Sequence, residues 1–127
     1  PLACGRLGAR GVPFLGLPGN PVASMVTFLQ FAAPLLSRLQ GREAAWPQRL
    51  TAVAEQPLRS REGRVDYLRG IYRSDGEGRL VVRDGGAQGS GILSSMVRAN
   101  CLIEIDDARA SVAAGESVTI QPLFRLP

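Results

Sequence analysis

The apolar positions of the chain follow two rhythms, and the change between them divides it. Phe14, Leu15 and Leu17 form a short run without charge, the pattern of a strand covered on both faces. Pro18-Gly19 breaks that strand. Asn20 is a good N-cap, and Pro21 suits the first helical position, where a missing N–H costs nothing. Behind them Val22, Met25, Leu29, Ala32, Leu36 and Leu39 form one stripe of a helix. Pro34 is expected to bend this helix or end its regular part, and Gly41 to stop it. Pro1 to Gly11, rich in Gly and Arg, reads as a loop entering the strand. One strand and one helix cannot bury their apolar faces on each other alone, and a parallel α/β layer needs neighbours. Residues 1–45 therefore read as the last strand–helix unit of a larger α/β domain, and the chain as a piece of a longer one.

Between Arg42 and Gln48 the pattern lapses, with Trp46-Pro47 marking a linker. From there to residue 127 the period is two. Strands are expected at Leu50 to Gln56, Val65 to Tyr72, Leu80 to Arg83, Leu102 to Asp106 and Val118 to Leu123. Gly70 reads as a bulge, Ser74 to Gly78 as a hairpin turn, and Ala114-Gly115-Glu116 as another turn. Short strands with Gly-rich turns suggest a small β-barrel or an open barrel-like sheet. One segment departs from this. Gly85 to Ser90 reads as a flexible loop, and Ile92, Leu93, Met96 and Val97 share one face of a short helix that Ser90 would cap. The fold class is α+β.

Composition narrows the chemistry. All fifteen basic residues are arginine, with no lysine and no histidine, so histidine chemistry and lysine Schiff bases are excluded within these 127 residues. A net charge of +4 on dispersed arginines does not indicate nucleic acid. Tyr67, Tyr72, Phe124 and Trp46 are scattered, not interleaved with the arginines as a stacking platform for single strands would be. No apolar run approaches membrane-spanning length, and no signal peptide is expected, since the first residues lack a charged stretch followed by a long apolar core. Cys4 and Cys101 make neither a disulfide framework nor a metal cluster, and the cytosol is the expected compartment.

Three places are candidates for chemistry. The turn through Gly19-Asn20-Pro21 aims the free N–H groups of a helix start at one point, which suits an anion; the same residues also serve a purely geometric connection. The loop ending at Ser90 repeats that arrangement, again with a plain structural cap as its alternative. Arg69 shares its parity with Val65, Tyr67 and Ile71, on a face otherwise given to apolar groups. A guanidinium there needs either an acid, with Asp66 and Glu104 on neighbouring elements, or an incoming anion.

Four blocks then occur in one order: Leu17-Pro18-Gly19-Asn20-Pro21-Val22 before a long apolar helix, Gly63-Arg64-Val65-Asp66-Tyr67-Leu68-Arg69-Gly70, Gln88-Gly89-Ser90-Gly91, and Ala99-Asn100-Cys101-Leu102-Ile103. The series resembles the C-terminal part of the MoeA/gephyrin E-domain family, the molybdopterin molybdenumtransferases. The resemblance covers essentially the whole chain, and Pro1-Leu2 looks like the end of the family's Lys-Pro-Gly-Lys-Pro-Leu stretch.

What the resemblance implies is an enzyme that inserts molybdenum from molybdate into adenylyl-molybdopterin, releasing AMP with the help of Mg²⁺ held outside this chain. It implies a homodimer of four-domain chains, working with a MogA-type adenylyltransferase and molybdoenzyme maturation proteins. Residues 1–45 would end the third, MogA-like α/β/α domain, which binds the pterin, and residues 46–127 would be the fourth, barrel-like domain. The substrate cleft would be lined by Pro18, Gly19, Asn20, Pro21, Ser24, Arg69, Gln88, Gly89 and Ser90. Many members have Ser directly after the turn, where this chain has Ala23; Ser24 follows, about a hundred degrees further round the helix. No catalytic residue is assigned within the chain, and alone it is expected to be inert. The alternative is a gephyrin-like protein-interaction module without a catalytic role.

Overall fold

The computed structural model describes residues 2–19, 21–44, 46–85 and 98–123. These fall into two compact units, Pro1–Pro47 and Gln48–Pro127.

The first unit opens with a hairpin. Strands β1 (Ala3–Leu7) and β2 (Val12–Gly16) pair antiparallel, with Ala3 opposite Gly16 and Leu7 opposite Val12. Pro1 to Gly11 is therefore not a loop throughout, as its composition suggested. Its glycines do two separate jobs. Gly8 and Gly11 adopt φ of 68° and 63° in the turn, a region that favours glycine. Gly5 makes room for the Phe14 ring, since a Cβ there would lie 2.7 Å from Phe14 Cε1. Nor is β2 covered on both faces: Val12 and Phe14 are exposed.

Helical backbone runs from Pro21 to Leu39 in three pieces. These are α1 (Pro21–Thr27), a wide π turn (Phe28–Ala32) and α2 (Ala33–Leu39). Pro34 lies in the first turn of α2. It has no N–H for the preceding turn, and its ring would strike the carbonyl four residues back; widening that turn relieves both. The expected interruption thus falls just before Pro34 and ends neither the helix nor its stripe. Gly41, at φ 75°, closes the C-terminus, and the amides of Gln40, Gly41 and Arg42 donate to the carbonyls of Leu36, Arg38 and Ser37. Helix and hairpin leave an apolar groove of about 270 Å³ lined by Phe14, Leu15, Leu17, Phe28, Leu36 and Leu39. Phe31 and Leu39 remain more than half exposed.

The second unit is a closed five-stranded barrel in the order β3 (Leu50–Ala54), β6 (Leu80–Asp84), β5 (Asp66–Ser74), β7 (Cys101–Ile105), β9 (Ser117–Pro122). The β3–β6 pair is parallel and the other pairs are antiparallel. All five expected strands are present. Ala52, Ala54, Val82, Cys101, Ile103, Ile105, Val118 and Ile120 point inward and form the core, with Leu68 and Tyr72 packed against it. Two short strands, β4 (Leu58–Arg59) and β8 (Ser111–Val112), pair antiparallel, and Leu58 and Val112 join the core. At the β5–β6 turn Gly78 has φ 83°, and the Asp75 carboxylate accepts from the Glu77 and Arg79 amides at 2.9 Å each. Those two amides, above all Arg79's, hold the Asp75 carboxyl below its ordinary range.

Gly70 is paired rather than left out of the sheet as a bulge would be: it lies opposite Asp84 of β6, where that ladder begins, and opposite Cys101 of β7, where that ladder ends. The requirement for glycine is steric: a Cβ would lie 2.7 Å from Ile103 Cγ1 and 2.9 Å from Cys101 Sγ. The Cys101 thiol beneath it is fully buried, and burial pushes its pKa up to about 12. In the native 127-residue chain one thiol, the exposed Cys4, is expected to react promptly with a disulfide reagent, and the second only after denaturant is added. Two promptly reacting thiols would show that the barrel core opens.

Candidate functional site

The expected site residues divide between the two units. Pro18, half-buried, and Gly19, exposed, lie between β2 and α1, and Pro21 is the first residue of α1. A Cβ on Gly19 would meet nothing within 4 Å among the described residues, and its φ is not positive, so none of them demands glycine there. Ser24 is half-buried in α1, one residue beyond Ala23. Asn20, Gln88, Gly89 and Ser90 lie outside the described residues, as does the short helix expected over Ile92 to Val97.

Arg69 belongs to β5. The side chains of β5 that meet the core are Leu68 and Tyr72, with Gly70 between them. Arg69 therefore shares the outer face of the barrel with Tyr67 and Ile71. Both parities of this strand carry apolar groups, so alternation alone could not say which was inside. The two candidate acids are held by others. Asp66 accepts from Ser60 Oγ at 3.1 Å and from the Arg61 amide at 2.9 Å, with Arg64 Nε at 3.5 Å. Glu104 accepts from Arg49 Nε and Gln121 Nε2, each at 2.9 Å. Arg69 has interactions of its own within the chain.

Around it the outer face is mixed. Register places Leu102 opposite Arg69 and Gln121 opposite Leu102, and both Leu102 and Gln121 are buried. One pair along, Tyr67 lies opposite Glu104 and Glu104 opposite Thr119. Burial, and secondarily the Glu104 carboxylate, raise the Tyr67 pKa, while Arg49 partly offsets them. Arg73, further along the same face, is paired with Glu55. Sequence reasoning passed over the Arg49–Glu104–Gln121 group, whose members are far apart in the chain. It also gave no role to Asn100, whose side chain bonds both backbone groups of Tyr72. Among the described residues no three His, Cys, Asp or Glu side chains gather as a metal site would require, and no helix is long and apolar enough to cross a membrane.

The chain belongs to the MoeA family: the model of the MoeA C-terminal region (domain IV) matches residues 51–123. A molybdopterin molybdenumtransferase of Haemophilus influenzae is 41% identical over 128 residues, covering 99% of this chain and 31% of that protein. Molybdopterin molybdenumtransferase 1 of Mycobacterium tuberculosis is 34% identical, covering 91% of this chain and 28% of its own length. The crystal structure of a molybdopterin biosynthesis MoeA protein from Pyrococcus horikoshii superposes with a TM-score of 0.76 at 27% identity, over 96% of this chain and 28% of that one. The chain thus spans about a third of the length of these relatives.

Proposed function

We propose that this chain is the C-terminal part of an enzyme that transfers molybdenum from molybdate into adenylyl-molybdopterin. The observation that carries the reading is the likeness to molybdenumtransferases across both units, at 41% identity over nearly the whole chain. Molybdate, the pterin phosphate and the adenylyl phosphate are all anions. Guanidinium groups and unpaired amides are the residue types that hold them.

On this reading residues 1–45 complete a MogA-like pterin-binding domain, and the rest of that domain covers the apolar groove beside Phe14 and Leu36. Pro18, Gly19, Asn20 and Pro21 shape a turn whose open glycine lets a ligand approach the backbone, with Ser24 in the first turns of the helix behind it. Arg69, Gln88, Gly89 and Ser90 are the barrel unit's own substrate-binding residues. Arg69 holds and orients anionic oxygen. The Mg²⁺ that would offset phosphate charge has its ligands elsewhere in the protein. The working form is a homodimer in the cytosol, supplied by an adenylyltransferase and followed by proteins that mature molybdoenzymes.

The test is molybdenum insertion from molybdate into adenylyl-molybdopterin by the intact protein, with the 127-residue chain as the control that remains inert. An intact protein that binds no molybdopterin and inserts no metal would remove this reading and favour a protein-interaction module.

A further inference from the structure

Asn100 immediately precedes β7 and makes four hydrogen bonds. Its amide donates to the Gly70 carbonyl at 3.0 Å, and its carbonyl accepts from the Leu123 amide at 2.9 Å. Its side chain then turns to Tyr72: Oδ1 accepts from the Tyr72 amide at 2.8 Å, and Nδ2 donates to the Tyr72 carbonyl at 2.9 Å. Main-chain pairing of β5 with β7 ends at Gly70 opposite Cys101. The Asn100 carboxamide therefore adds a rung that the backbone of β7 no longer provides. Few side chains can do this. It needs one donor and one acceptor side by side, which a carboxamide has, an ionised Asp lacks, and an Ala lacks altogether.

These bonds fall on the stretch of β5 that carries Arg69. The Arg69 carbonyl accepts from the Gly85 amide at 2.9 Å on one edge of the strand, and Asn100 takes Gly70 and Tyr72 on the other. Backbone from Arg69 to Tyr72 is thereby pinned along both edges, and Gly70 in its middle is packed too closely for any side chain. A guanidinium on a long flexible stem holds an anion well only if its Cα is fixed.

We propose that Asn100 is a positioning residue: its carboxamide fixes the β5 backbone at Gly70–Tyr72 and thereby sets where Arg69 presents its guanidinium to an anionic substrate. This rests on the role given to Arg69 above. If Asn100 merely stabilised the barrel, its loss would reduce the folded fraction and leave each folded molecule as active as before.

A double-mutant cycle in the intact protein separates the two. Asn100→Asp keeps an acceptor for the Tyr72 amide but sets an oxygen against the Tyr72 carbonyl, and Asn100→Ala removes both bonds. Each is made with Arg69 present and with Arg69→Ala, and kcat and KM for molybdenum insertion are measured where circular dichroism shows every variant folded. With Arg69 present, either Asn100 change is expected to lower kcat/KM by about tenfold, chiefly through KM; with Arg69→Ala in place the further loss falls below about twofold. Equal losses in both backgrounds, or no loss with Arg69 present, would overturn the proposal. If Arg69→Ala alone changes nothing, the role of Arg69 fails first, and the positioning role with it.

Discussion

Replacing Gly70 with alanine is expected to destabilise the barrel by about 1–3 kcal/mol, the range for forcing a methyl group into a filled core. The added Cβ would come within 2.9 Å of three buried atoms, Ile103 Cγ1, Ile103 Cδ1 and Cys101 Sγ. Neither side chain can retreat, because Ile103 and Cys101 are themselves fully buried among β5, β7 and the rest of the core. Gly76 in the following hairpin turn is the matched control. Its φ is not positive and a Cβ there meets nothing within 4 Å, so Gly76→Ala should leave the melt unchanged or raise it slightly. Thermal unfolding of the two variants checks the contrast, with a fall of roughly 4–8 °C for each kcal/mol lost by a unit of this size. Equal melting temperatures would mean that β5 and β7 are not packed as closely as described.

Separating the two units should give opposite behaviours. Every residue of the buried core cluster lies between Ala52 and Ile120, so a chain beginning at Gln48 keeps its whole core and should unfold cooperatively. Residues 1–47 keep one hairpin, one interrupted helix and an apolar groove, with Ala32 and Pro34 buried among the described residues of the helical stretch. Each large apolar side chain left uncovered forgoes about 1.5–3 kcal/mol of burial. That piece is expected to self-associate or bind a hydrophobic dye. A dye-binding, non-cooperative barrel piece would show the core to be incomplete without the first unit, and a compact monomeric 1–47 piece would show that its groove needs no cover.

The barrel was legible because its strands alternate and its turns carry the glycines that left-handed backbone needs. Leu102 to Asp106 and Val118 to Leu123 could hardly be read otherwise. What was missed follows from short or ambiguous signals. Strand β1 reads as a loop because Cys4, Gly5 and Arg6 show no alternation, and its pairing depends on Phe14 lying over Gly5. Strands β4 and β8 have two residues each, below the length at which a period exists. In β5 both parities are partly apolar, and the choice of inner face is made by Gly70, which in the sequence reads equally as a bulge. Arg69 shares its face with Tyr67 and Ile71, as parity predicts, and that face is the outer one. Its two candidate acids have other partners, Ser60 and Arg64 for Asp66 and Arg49 and Gln121 for Glu104. These partnerships arise from strand register, which no local pattern encodes. The turn at Pro18 to Pro21 was legible as a helix entry, while its chemistry came only from likeness to a family.

The outer-face position of Arg69 separates folding from function, and one comparison tests it directly. Molybdenum insertion by the intact protein is measured for the unaltered sequence, for Arg69→Ala and for Arg73→Ala, together with their melting curves. Arg73 shares the same face of β5 and pairs with Glu55, an exposed bridge of small energetic weight. Arg69→Ala is expected to lose on the order of 100-fold in kcat/KM, as when one preorganised donor to a charged group is removed, while its stability falls by no more than about 1.5 kcal/mol, the net worth of a hydrogen bond. Arg73→Ala should retain insertion. Unchanged insertion by Arg69→Ala, or a loss matched by a collapse in melting temperature, would contradict a substrate-holding role and assign Arg69 to the structure of the barrel.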